Sequence, residues 1–216
     1  MKQEKEIIDF PIGGEDAIRE INGHYDTNIT FEQIWNRVSK EQIVESYIAE
    51  ECNFAALAEG LESGTEDFDK RVEECMLDMV SSNIEEIPGM LIPLRDNPVI
   101  YRAMKIDDID EFIAEVKKTG KTDVGCVGTY WAFDADHAIA YMGGTGKEYI
   151  LVAVINPDDV NVFETITSYV IYSTGPGEEA GREDEITMKN GAKVRIVEII
   201  DKVTGKSRKV NIEACA

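Results

Sequence analysis

Tyr149-Ile150-Leu151-Val152-Ala153-Val154-Ile155 is a continuous apolar run closed by Asn156-Pro157. A run of this length, rich in β-branched residues and ended by a turn pair, reads as a strand buried on both faces. A buried central strand needs neighbours, and the flanking sequence supplies candidates. Upstream, Val99-Ile100-Tyr101-Arg102-Ala103 and Gly128-Thr129-Tyr130-Trp131-Ala132-Phe133 are short β-rich stretches. Downstream, Val160 to Phe163, Ser168 to Tyr172, Glu185 to Met188, Lys193 to Ile200 and Lys209 to Ile212 read as further strands. Asn190-Gly191 is a two-residue hairpin signal between two of them. Two helices interrupt the strands. One runs from Ile106 to Lys118, with Ile109, Phe112, Ile113 and Val116 inward. The other runs from Ala135 to Met142, with Asp134 positioned as its cap.

Before residue 93 the texture is helical. Thr30-Phe31-Glu32-Gln33 and Ser39-Lys40-Glu41-Gln42 each have the form of a capping box. Ile34, Val38, Ile43, Tyr47, Ile48 and Phe54 recur at near-helical spacing, up to a natural stop at Gly60. A second helix is expected from Thr65 to about Ser82, with Phe68, Val72, Met76, Met79 and Val80 on one stripe. Charge changes with texture. Residues 1–92 hold 7 basic and 22 acidic side chains, against 15 and 21 in residues 93–216. The expected architecture is α+β: an acidic helical segment over 1–92, then a β-rich domain over 93–216.

The whole chain carries 22 Lys and Arg against 43 Asp and Glu, a net charge of −21. That balance argues against a wide phosphate-gripping surface for nucleic acid, and against docking on an anionic membrane. It favours a basic partner. No apolar run approaches the ~18 residues of a membrane span. The opening MKQEKEIIDF lacks the apolar core of a secretory signal, so a cytoplasmic location is expected. Cys52, Cys75, Cys126 and Cys215 are scattered, which reads as free thiols in a reducing compartment. Two histidines, His24 and His137, supply neither a zinc site nor a serine triad well. There is no phosphate loop, HExxH, GxSxG or EF-hand pattern. Gly143-Gly144-Thr145-Gly146 precedes a strand and reads as a turn, and no metal site is expected.

Three features stand out. Arg102 carries a charge inside an apolar strand, where it must face solvent, line a cleft or be paired. Tyr130 and Trp131 are adjacent in a strand, so alternation sends them to opposite faces, one to the core and one to a cleft. Arg182-Glu183-Asp184-Glu185-Ile186-Thr187-Met188 opens a strand after the Gly- and Glu-rich loop Ser173 to Arg182. Glu183 and Glu185 are two apart, so an extended chain points both carboxylates to one face.

In this order and spacing, residues 98–200 resemble the ADP-ribosyltransferase family of the Arg–Ser–Glu type. The resemblance implies an ADP-ribosyltransferase-like β-sandwich and transfer of ADP-ribose from NAD to a macromolecule, for which the acidic charge favours a basic protein. By the resemblance, Tyr101 and Arg102 form the first motif, with Arg102 on the NAD diphosphate or nicotinamide ribose. Glu185 binds the nicotinamide ribose 2′-hydroxyl, and Glu183 orients or deprotonates the acceptor. Tyr130 or Trp131 stacks on the nicotinamide, and Thr129 is the nearest hydroxyl where the family carries Ser-x-Ser. This Tyr-Trp departure is similar to divergent phage-encoded members, including anti-CRISPR ADP-ribosyltransferases. The mobile loop, with Tyr172 at its start, would meet the acceptor. On this reading Arg102→Ala weakens NAD binding at unchanged melting temperature. The competing reading is a non-catalytic acidic protein that occupies a basic, nucleic-acid-binding partner. A third is NAD hydrolysis without an acceptor.

Overall fold

The computed structural model describes residues 11–140, 146, 148–173 and 185–210, with the side chains of 42, 43, 45–47 and 140 left aside. The chain divides into two compact units. One comprises Met1–Gly89 with Val170–Ala180, and the other Met90–Tyr169 with Gly181–Ala216. The first division falls near the expected boundary at residue 92. The second, inside a helix, has no counterpart in the sequence reading.

The first unit is helical: α1 (Ile12–Tyr25), α2 (Phe31–Val38), α3 (Gln42–Ala58) and α4 (Glu66–Glu86). The Thr30 capping box forms, with the Thr30 hydroxyl accepting from the Gln33 N–H at 3.2 Å and the Gln33 amide oxygen accepting from the Thr30 N–H at 3.0 Å. The second expected box does not form. Ser39 closes α2, and Glu41 precedes α3 without a side-chain cap. The inward stripe of α3 is Val44, Ile48, Cys52 and Ala56, while Phe54 is 65% exposed. Thr65 caps α4 through the Phe68 N–H. Cys52 and Cys75 are not free thiols: they form a disulfide that ties α3 to α4, with Cα atoms 5.6 Å apart. Cys126 is free and exposed, and Cys215 lies outside the described residues.

Two single-turn helices, α5 (Pro88–Leu91) and α6 (Pro93–Asp96), lead to β1 (Val99–Met104). There follow α7 (Ile109–Thr119), β2 (Thr122–Asp123), α8 (Val124–Val127), β3 (Tyr130–Ala132), α9 (Ala135–Ala140), β4 (Tyr149–Val154), α10 (Val162–Ser173), β5 (Glu185–Thr187), β6 (Lys193–Asp201) and β7 (Ser207–Lys209). The strands make one seven-stranded sheet in the order β2-β6-β4-β1-β3-β5, with β7 also on β6. Every pairing is antiparallel. The molecule is thus a mixed α+β protein. The apolar run at 149–155 becomes β4, central between β1 and β6, with Ile150 to Ala153 buried.

Two expectations are corrected here. Ser168 to Tyr172 is not a strand but part of α10, which begins at Val162, while Val160 makes an isolated antiparallel bridge to Met188. Val162, Thr165, Ile166, Thr167, Tyr169, Val170 and Ile171 are all buried. A helix buried nearly all round shows no amphipathic period, and its β-branched residues imitate strands. Asn190-Gly191 does turn, with Gly191 at φ +77°. It joins β5 to β6, however, and these are not sheet neighbours. From Thr187 to Lys193 the chain can span at most about 21 Å, whereas four strand spacings in a flat sheet take about 19 Å. A segment that contains a turn falls short of that reach. The sheet therefore curls, helped by the β4–β6 bulge at Val152/Ala153.

Candidate functional site

The three sequence features lie on three adjacent strands, β1, β3 and β5. Tyr101 pairs with Ala132, and Ala132 with Glu185, so these side chains form one row across one face. Tyr130 and Thr187, paired with each other, continue that face. Helix α9 packs on its other end. There Ala103, Ala132, Ala138 and Ile150 are buried, with Tyr101 half-buried against them. His137 donates its backbone N–H to the Asp134 carboxylate at 2.9 Å, and its Nδ1 lies 2.7 Å from the same carboxylate, so Asp134 caps α9 as expected. Burial works to raise the Asp134 carboxyl, but the His137 backbone and imidazole outweigh it and hold it below the ordinary carboxylate range.

Alternation sends Arg102 to the opposite, core-side face of β1. Its strand neighbour Ile100 and its β4 partner Leu151 are fully buried. A guanidinium there needs compensation. β1 and β3 pair at one position only, so β1 leaves the next β3 carbonyl, that of Tyr130, to the Arg102 side chain, which donates Nη1–H to it. Gly128 makes room for this. Its backbone sits at φ +97°, and a Cβ there would lie 2.1 Å from Nη2 of Arg102. Burial pushes the Arg102 guanidinium below its usual value, and the Glu185 carboxylate pulls it back. Nε of Arg102 and Oγ1 of Thr187 are buried without a hydrogen-bond partner.

The adjacent aromatics separate as alternation requires. Trp131 is 2% exposed and donates its indole N–H to the Gly128 carbonyl at 2.9 Å, whereas Tyr130 is 54% exposed. Trp131 is therefore a core residue that braces the Gly128 turn, and of the two rings Tyr130 is the one open to solvent. Thr129 accepts the Met188 N–H at its carbonyl, 2.8 Å away, and so ties the approach to β3 to the exit from β5. Glu185 opens β5 and is half-buried. Glu183, Asp184, most of the Gly- and Glu-rich loop and the Gly143–Thr145 turn lie outside the described residues. Tyr172 belongs to α10, in the portion grouped with the helical unit, rather than to a loop start on the sheet unit.

Gly128 was not singled out by the sequence, although a glycine two residues before a β-rich aromatic pair is a signal of close approach. Among the described residues no three His, Cys, Asp or Glu side chains stand together as metal ligands, and no helix is long and apolar enough to cross a membrane. In comparisons with known proteins the chain matches no family model, no curated protein and no solved structure.

Proposed function

We propose that the sheet unit is an ADP-ribosyltransferase-like domain that cleaves NAD at the nicotinamide–ribose bond and transfers ADP-ribose to a protein acceptor. The carrying observation is that Arg102, Tyr130 and Glu185, far apart in sequence, stand on three adjacent strands, β1, β3 and β5, with Tyr130 and Glu185 on one face and Arg102 on the other. The β-sandwich expected of that fold is part of this proposal, and the described strands make one antiparallel seven-stranded sheet.

NAD is the substrate, and the residues present suit it. Arg102 gives one Nη1–H to the Tyr130 carbonyl, and the remaining donors of its fork are what this reading assigns to a diphosphate oxygen. Tyr130 offers an exposed ring for the flat nicotinamide. Breaking the nicotinamide–ribose bond leaves positive charge on the ribose, an oxocarbenium-like state also met in glycoside hydrolysis. A carboxylate held on a strand end stabilises that charge without reorganising, which is the role assigned to Glu185. Glu183 is assigned to the acceptor, by the resemblance alone.

Calorimetric titration with NAD and transfer of label from radiolabelled NAD to a basic acceptor protein test the reading together. NAD should bind the native protein, and Arg102→Ala should weaken that binding by about tenfold or more, the worth of one to two charge-assisted hydrogen bonds. Absence of NAD binding by the native chain would favour the acidic binding protein instead.

A further inference from the structure

A second site lies elsewhere on the sheet unit, and its argument is independent of the NAD reading. A groove of about 550 Å³ is bordered by the end of β4, the start of β6 and the Lys189–Ala192 turn. Four of its side chains are cationic, Lys121, Lys189, Lys193 and Arg195, and one, Asp159, is acidic. In a chain of net charge −21 this is a local inversion of sign. Among the described residues Lys121, Lys193 and Arg195 make no ion pair, although acids stand near. Asp158 is paired with Arg95. Asp123, opposite Lys193 in register, accepts the Gly125 N–H at 2.7 Å. Lys189 donates Nζ–H only to a neutral carbonyl, that of Asp158, at 2.7 Å. Four cations against one carboxylate leave the groove net positive, and an anion relieves their mutual repulsion.

The cations sit on rigid supports. Lys193 and Arg195 are two apart on β6 and exposed, with Val194 and Ile196 buried between and beyond them, so both project from one face. The turn is pinned by the Lys189 N–H to the Asp159 carbonyl at 2.8 Å and by the Val124 N–H to the Ala192 carbonyl at 3.0 Å. No aromatic side chain borders the groove, so base stacking has no platform.

We propose that this groove binds a chain of phosphates, read by charge and not by base. The source is either a compact polyphosphate or the phosphodiester backbone of a single strand. The groove borders the turn that leaves β5 at the end away from Glu185, and none of its lining residues is assigned to NAD, so its occupant is distinct from the NAD of the first site.

The test uses the full chain and two probes, inorganic tripolyphosphate and a labelled twelve-residue oligothymidylate, at 50 and 200 mM salt. For the oligothymidylate each neutralised phosphate contributes about 0.7 to the salt slope, so three unpaired cations predict an affinity loss of about 20-fold over that range. K193Q/R195Q, at exposed strand positions, should fold normally by circular dichroism and bind at least about tenfold more weakly at 50 mM. Its salt loss should shrink to about threefold. Binding of both probes, each displacing the other, assigns a site for any phosphate chain. Binding of tripolyphosphate alone assigns a compact ligand, and of oligothymidylate alone a strand. If neither probe binds at 50 mM salt, or if K193Q/R195Q binds as the native chain does, the proposal is overturned. Either result leaves the NAD reading untouched, because K193Q/R195Q alters no residue assigned to NAD.

Discussion

Gly128→Ala tests the geometry around Arg102 directly. The backbone there has φ +97° and ψ 153°, a combination that a residue with a Cβ adopts only at a cost of about 1–3 kcal/mol. The new Cβ would also lie 2.1 Å from Nη2 and 2.3 Å from Cζ of Arg102. The guanidinium must leave, and its bond to the Tyr130 carbonyl, a charged hydrogen bond worth about 1.5–3 kcal/mol, is lost with it. The total is about 2.5–6 kcal/mol, or a urea midpoint lower by about 2 M at its middle and a typical denaturant slope. In an Arg102→Ala background the Cβ has no guanidinium to displace, so the same glycine substitution should cost only its backbone share. The double-mutant cycle therefore predicts a coupling of about 1.5–3 kcal/mol. The two tryptophans divide between the units, Trp35 in α2 and Trp131 in β3. Urea unfolding followed by fluorescence in a Trp35→Phe background therefore reports the sheet unit. Costs that add to within about 0.5 kcal/mol would refute the claim that Gly128 acts through Arg102. The same bond means that Arg102→Ala lowers the melting temperature, unlike the purely ligand-binding arginine expected from the sequence.

The exposure of the adjacent aromatics predicts opposite phenotypes. Trp131→Ala should cost about 3–5 kcal/mol of stability, whereas Tyr130→Ala should leave stability within about 1 kcal/mol and weaken NAD turnover. Reducing Cys52–Cys75, which closes a loop of sequence separation 23, should destabilise the helical unit by about 3 kcal/mol, measured by urea unfolding on Trp35 fluorescence. A change below about 0.5 kcal/mol would argue against the pairing. The Asp134 carboxyl titrates lower in the folded chain than in the unfolded one. Its contribution is therefore present above the unfolded value of about 4 and is lost as pH falls through the folded value. Asp134→Asn keeps a capping side chain without the charge, so its thermal stability should fall less steeply than the native chain's between pH 5 and 2. Superimposable pH profiles would contradict the role of His137.

The fold was legible where periodicity is strong. The run at 149–155 announced a central strand, and alternation at Tyr130-Trp131 separated a surface ring from a core ring. It was illegible where burial erases the period, as along α10, whose apolar and β-branched residues face protein on nearly every side. The Asn190-Gly191 turn was legible as a turn but not in what it joins, because register is decided by the strands already in the sheet. Cysteine pairing depends on how α3 and α4 dock, and the spacing of Cys52 and Cys75 carries no trace of it. Motif order foreshadowed that the strands of Arg102, Tyr130 and Glu185 meet, but not that Arg102 turns to the face opposite Tyr130 and Glu185. The latch from Arg102 to the Tyr130 carbonyl was not foreshadowed either, because it arises from a single missing rung between β1 and β3. The basic groove was hidden by the global charge: its four cations are scattered over residues 121–195 and meet only in the folded sheet.

The central claim is that Glu185 faces a cation that develops during NAD cleavage. Release of free nicotinamide from NAD by the native chain and by Glu185→Gln, measured alongside NAD affinity, tests it most directly. The substitution preserves shape and removes only the charge, so NAD affinity should change by no more than about threefold while nicotinamide release falls by about 10²-fold or more. Nicotinamide release by Glu185→Gln at the native rate, or no release by the native chain with NAD bound, would contradict the account.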